Sequence, residues 1–154
     1  MKNINHPIIG SLNINSIRYK FDQLKFLVQD HNDILILQET KIDQSFPSSK
    51  FLIDGYNPPF RRDRNSMGGG ILVYIKENIP AKVLKITESI EGIFIEMRFK
   101  NDKWLLFCTY NPNGQNSKQF FIELERELDI YLCTYDRFII DRGLQSGRDG
   151  LSSA

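Results

Sequence analysis

The chain's 154 residues, 41% apolar, 25% charged and 12% aromatic, suit one globular domain with a sizeable core. A net charge of +1 excludes a global field drawing the protein onto nucleic acid or a membrane surface, so anion recognition must rest on a local cluster. No stretch is apolar for long enough to span a bilayer, and MKNINHPIIG lacks a secretory apolar run, so a soluble, intracellular protein is expected.

Pro7 to Leu12 is short, apolar and β-branched, which predicts a buried strand. From Ser16 to Asp30 the period changes: Ile17, Phe21, Leu24, Leu27 and Val28 fall at helical spacing, with Asn15 or Ser16 as N-cap. Asn32-Asp33 stops that helix, and Ile34 to Leu37, with no polar residue interposed, predicts a strand buried on both faces. Short strands follow over Gly70 to Ile75, Lys82 to Ile86, Ile93 to Phe99 and Trp104 to Tyr110. Between them lie the turn signals Glu77-Asn78, Glu91-Gly92 and Asn101-Asp102. A helix is predicted from Ser117 to about Tyr131 with Phe121, Leu124, Leu128 and Tyr131 on one face, then a last buried strand from Arg137 to Ile140. The Gly/Ser-rich residues 143–154 read as a disordered tail after a domain of residues 1–142. Cys108 and Cys133 lie apart in apolar stretches without CxxC spacing, which predicts buried free thiols in a reducing compartment.

Four places carry candidate chemistry, each beside an ordinary explanation. Glu39, in Gln38-Glu39-Thr40-Lys41, follows a buried strand, where sites of α/β folds open. A lone carboxylate there suits Mg2+, which keeps most of its waters, and equally suits a solvated loop. Arg61, Arg62 and Arg64 surround Asp63 ahead of Gly68-Gly69-Gly70; arginine forks match phosphate oxygens, and a flexible solvated loop has the same composition. Tyr110-Asn111-Pro112-Asn113 offers a phenol and amides to a phosphate, or simply a turn. Asn13 and Asn15 end a strand where cap chemistry suffices. His6 and His31 stand near no serine or acid in a triad pattern.

The order of these signals is more specific than any one of them. A strand ending in Leu12-Asn13-x-Asn15, a helix, a strand ending in Gln38-Glu39-Thr40, an Arg/Asp/Arg loop before three glycines, and a strand ending in Tyr110-x-Pro112-Asn113 follow in succession. From about Ile8 to Ile140 this resembles the endonuclease/exonuclease/phosphatase superfamily. Within it, the likeness is to the abasic-endonuclease-like domain of LINE-type (non-LTR) retrotransposon polyproteins. The resemblance implies an α/β fold: the N-terminal part of a four-layered α/β/β/α sandwich, with mixed β-sheet, helices packed outside, and the site at one end. It implies phosphodiester hydrolysis of DNA with a divalent metal, Mg2+ or Mn2+, acting in the nucleus.

By the same resemblance Asn13 organises the catalytic centre, Glu39 ligates the metal, Asn15 lies near it, and Tyr110 and Asn113 orient the scissile phosphate. Arg61, Arg62 and Arg64 touch substrate. The chain departs from the family after Phe138-Ile139-Ile140, where Gly-Asp-x-Asn is replaced by Asp141-Arg142-Gly143-Leu144, and the closing Ser-Asp-His segment is absent. The expectation is a truncated copy, inactive alone, with most of the second sheet missing and the first sheet left with an uncovered apolar face for self-association. Two alternatives stand beside it: a phosphatase of the same superfamily acting on a lipid head group, and a non-catalytic remnant.

Overall fold

The computed structural model describes residues 6–28, 31–110 and 117–143, which form two four-stranded mixed sheets packed face to face. The first sheet holds β1 (Ile9–Asn13), β2 (Ile34–Gln38), β3 (Phe60–Arg62) and β4 (Ile71–Ile75), in the order β1-β2-β4-β3. β1 and β2 run parallel, joined through α1 (Phe21–Val28), while β4 is antiparallel to both of its neighbours. The second sheet is a meander of β5 (Ala81–Thr87), β6 (Gly92–Phe99) and β7 (Asp102–Thr109). α2 (Ser117–Asp129) then carries the chain over to β8 (Arg137–Asp141), parallel to β7.

Alternation along each strand builds three apolar layers. Ile34, Ile36 and Val73 meet Ile93, Ile95 and Leu106 between the sheets. Leu35, Leu37, Leu72 and Tyr74 point the other way, onto Leu24 and Val28 of α1. Phe94, Leu105 and Phe107 turn outward beneath Leu124 of α2, with Phe94 and Phe107 stacked at 4.0 Å. This is the expected α/β/β/α layering, and β2 is buried along its whole length, as its unbroken apolar run predicts.

Several local expectations are corrected. Asn15 and Ser16 do not cap α1: at φ +47° and +79° both are left-handed, whereas an N-cap is extended. The amides of Ser16 and Ile17 are bonded to the carbonyls of Glu39 and Thr40, so this segment is held as a loop and the helix opens only at Phe21. Leu27 and Phe121 are exposed; Phe120, one residue earlier, takes the core side of α2. Cys108 is buried as expected, but Cys133 is exposed, just beyond α2. Arg61 and Arg62 belong to strand β3 and not to a loop. The second sheet has four strands, and its inner face covers the first sheet. Exposed apolar side chains lie instead on the edge strands, Ile9 and Leu12 on β1 and Phe138 and Ile140 on β8. Among the described residues no helix is long and apolar enough to cross a membrane.

Candidate active site

The layer between the sheets is apolar in its middle and turns polar at one end. Following the inward-facing positions, β2 runs Ile34, Ile36, Gln38; β7 runs Trp104, Leu106, Cys108 and on to Tyr110; β8 runs Ile139, Asp141. β6 is antiparallel to β7 and enters from this end, so Glu91 precedes Ile93, Ile95 and Met97 on the same face. Ser11 and Asn13 close the same end of β1, opposite Ile36 and Gln38.

These groups bond to one another across the two sheets. Asn13 Nδ2 donates to Tyr110 Oη at 3.4 Å, and the Glu39 carboxylate lies beside that phenol. Burial, with the Glu39 carboxylate beside it, raises the Tyr110 pKa well above that of a free tyrosine, so the phenol stays a donor at neutral pH. Glu39 Oε2 also accepts the Gly69 amide at 3.3 Å. A second knot lies behind the first: Gln38 Nε2 reaches Asp141 Oδ2 at 2.8 Å, and the Ser11 hydroxyl donates to the same carboxylate at 3.2 Å. Burial raises the Asp141 pKa, and the bonds from Ser11, the Gly143 amide and Gln38 offset part of that shift.

The backbone here is held in unusual conformations. Asn15, Ser16, Glu39 and Lys41 all have positive φ, a left-handed conformation that costs about 1–3 kcal/mol at a residue with a side chain. Cross-bracing holds it: Ser16 N–H to Glu39 O at 2.7 Å, Lys41 N–H to Gly69 O at 3.0 Å, and Lys20 Nζ to the carbonyls of Ile14 and Asn15 at 2.8 and 2.7 Å. Gly70, at φ +99°, has to be glycine, because a Cβ there would overlap the Thr40 hydroxyl. Strain of this kind, concentrated where the polar groups converge, marks functional sites.

Of the residues singled out from the sequence, Asn13, Glu39 and Tyr110 are brought together. Asn113 lies outside the described residues. Asn15 is exposed, and its Oδ1 accepts from Lys41 Nζ at 2.6 Å. The arginines differ. Arg61 is committed to the interior, bonded to Asp63, Phe46 O and Asp43 O at 2.7, 2.6 and 3.1 Å. Arg62 holds Thr87 O and Asp63 O, yet it lines an open groove of about 770 Å3 together with Arg64, Ser45 and Glu88. Arg64 is the more exposed of the two, bonded to Gly68 O and 3.8 Å from the Glu91 carboxylate.

Glu91 and Asp141 were not singled out as site residues. Glu91 reads from the sequence as half of a turn signal; its signal is parity, because it shares the inward face of Ile93 and Ile95. Its carboxylate accepts the Gly70 amide, and its carbonyl takes Tyr110 N–H at 3.0 Å and the Thr109 hydroxyl at 2.8 Å. Burial raises its pKa, the Gly70 bond and Arg64 oppose that, and the Glu39 charge adds to it. Asp141 continues the parity of Ile139 in the same way.

The donors at this end suit a hard divalent cation. Glu39 and Glu91 are oxygen ligands near one another, and Gln38 Oε1 and Thr40 Oγ1 are buried with no hydrogen-bond partner among the described residues. The described residues contain no cluster of three or more His, Cys, Asp or Glu able to hold a metal, so a site here would be of the few-ligand kind.

A four-layer α/β sandwich whose inner layer ends in such a polar cluster is the architecture of a known class. The model of the Endonuclease/Exonuclease/phosphatase family matches residues 10–140, and the chain belongs to that family. Solved structures share the fold. A 3′ phosphatase from Neisseria, NExo, superposes with TM-score 0.64 at 18% identity over 88% of this chain and 56% of its own. An AP endonuclease from Archaeoglobus fulgidus gives 0.58 at 23% identity, over 86% of this chain and 56% of its own. The endonuclease domain of TRAS1, a telomere-specific non-LTR retrotransposon, gives 0.62 at 10% identity, over 86% and 56%. The chain therefore spans a little over half the length of these structures. No curated protein sequence matches it.

Proposed function

We propose that this chain carries the metal- and phosphate-binding part of a divalent-metal-dependent DNA phosphodiesterase of the LINE-type endonuclease kind. The observation that carries the reading is the convergence of Asn13, Glu39 and Tyr110 from three strand ends into one polar group, with Asn13 bonded to Tyr110 and the Glu39 carboxylate beside the phenol. In this reading Glu39 holds Mg2+ or Mn2+, with Asn15 near it. The bound metal supplies neutralisation of charge developing on the phosphate and the leaving oxygen. Tyr110, kept protonated, donates to a phosphate oxygen; Asn13 fixes the phenol's direction, and Asn113 assists it. A fixed donor needs no reorganisation as charge develops. Arg62 and Arg64 meet the substrate backbone along their groove, whereas Arg61, which lines it from β3, is tied inward to Asp63. DNA as substrate sets the work in the nucleus.

The other carboxylates of this end, Glu91 and Asp141, are both engaged within the protein, by Gly70 and by Ser11 and Gln38. The chain's departure from Gly-Asp-x-Asn after Ile140 supports the proposal that the chain alone is inactive. The test is Mg2+-dependent nicking of supercoiled plasmid by this chain, beside a version extended in frame with the remainder of the domain. The short chain is expected to be silent, and the extended one active and abolished by Glu39→Ala. Nicking by the short chain that Glu39→Ala removes would overturn the incompleteness. Release of phosphate from a lipid head group, without nicking, would favour the phosphatase alternative. Self-association falls, in this reading, to the exposed edges of β1 and β8; a monodisperse monomer in sedimentation would count against it.

A further inference from the structure

The loop after Asn15 carries a feature that the phosphodiesterase reading leaves unused. Tyr19 is 86% exposed. The Arg18 guanidinium lies 5.8 Å from its ring centroid and 5.5 Å from that of Phe46, and Lys50 Nζ stands 5.9 Å from the same Phe46 ring. With Phe21 and Phe51 behind them, these side chains line an open groove of about 550 Å3. The acid that lines it, Asp22, faces Lys25 at 3.6 Å. The groove thus sets an exposed aromatic face beside one cation, Arg18, with a second, Lys50, on the Phe46 ring that Arg18 also meets.

The groove is fixed relative to the candidate site. Ser16 and Ile17, just before Arg18, are hydrogen-bonded to the carbonyls of Glu39 and Thr40, and Lys20 clamps the carbonyls of Ile14 and Asn15. The loop carrying Phe46 separates this groove from the arginine groove, which Asp43 and Ser45 line on the other side.

We propose that the Tyr19 groove is a subsite for an unpaired nucleotide, stacking its base on Tyr19 while Arg18 and Lys50 meet the flanking phosphates. Every base has a π-face, so stacking on tyrosine tolerates any sequence, and arginine adds cation–π contact. A base inside a duplex already has both faces covered, so the groove selects single-stranded or unpaired segments. A lipid head group would engage the cations and leave the ring face without a partner. The proposal rests on the reading that nucleic acid is the substrate.

The test needs no catalysis. Fluorescence anisotropy in EDTA follows the whole chain binding a labelled oligothymidine and a duplex of the same length. A second oligonucleotide carries 2-aminopurine, whose emission is quenched by stacking. Tyr19→Ala is expected to weaken single-strand binding roughly tenfold, to abolish the quench and to leave duplex binding unchanged, and Tyr19→Phe to restore both. Arg18→Gln should reduce the salt slope of binding by about one. Lys82→Ala, on β5, controls for loss of a surface charge. Wild-type single-strand affinity and quench in a folded Tyr19→Ala would overturn the proposal. Loss of binding with no nicking in any form of the protein leaves the groove standing and removes the nuclease reading. Nicking with unaltered Tyr19→Ala binding removes the groove alone.

Discussion

Glu91 offers the sharpest test of how this end of the sandwich is held. Its carboxylate accepts the Gly70 amide, and its side chain is only 9% exposed. Truncation to alanine strips a buried amide of its acceptor, at a cost of about 1–3 kcal/mol. The Arg64 pair adds at most about 1 kcal/mol, since Arg64 is 43% exposed and the separation is 3.8 Å. Relief of the buried carboxylate, whose pKa burial raises, returns part of this. The balance for Glu91→Ala is a loss of about 2 kcal/mol, or a Tm lower by about 4–8 °C for a chain of this size. Glu91→Gln keeps an oxygen for Gly70 and removes the charge, so it should stay within about 1 kcal/mol of wild type. Urea unfolding followed by Trp104, the single tryptophan, reports both. The two variants losing the same stability, or neither losing any, would refute the assignment of the Gly70 bond as what Glu91 supplies. In the extended form, where nicking is expected, Glu91→Ala should also lose it, because the Gly70 amide that the Glu91 carboxylate holds adjoins the Gly69 amide that bonds Glu39.

Further outcomes follow from the same geometry. Asp141 has its pKa raised above 3.8, so the folded state binds its proton more tightly than the unfolded state. The stability it contributes is full below pH 3.8 and is lost as pH rises through the raised value; Asp141→Asn should remove that decline, and parallel stability–pH curves would sink the idea. Gly70→Ala, at φ +99° and against Thr40, should cost about 1–3 kcal/mol from backbone conformation alone, read as a lower midpoint in urea; an unchanged midpoint contradicts the strain. A thiol reagent should modify exposed Cys133 in the native protein and reach Cys108 only on unfolding, because Cys108 is enclosed, with its pKa raised by burial and by the nearby Asp141. Two thiols reacting at equal rates in the folded protein would place Cys108 elsewhere.

The sequence by itself determined the alternation of strands and helices, the buried β2 and the order of motifs, because those depend on local period and on neighbours a few residues away. Asn13, Glu39 and Tyr110 stood out for the same reason: each ends a strand whose apolar run stops there. Tertiary structure decided the rest. Which side of α2 faces inward turned on where Phe94 and Phe107 stack, so Phe120 and not Phe121 meets the core. Asn15 and Ser16 look like a helix cap until the Glu39 and Thr40 carbonyls take their segment's amides. In one dimension Glu91 is half of a turn signal, and Asp141 is the residue after the last predicted strand. They join the site only because β6 enters the interlayer where β2, β7 and β8 leave it, bringing side chains of equal parity to one polar end. Contacts across 100 residues of chain, such as Gln38 to Asp141, leave no trace in local pattern, and it is these that assemble the site.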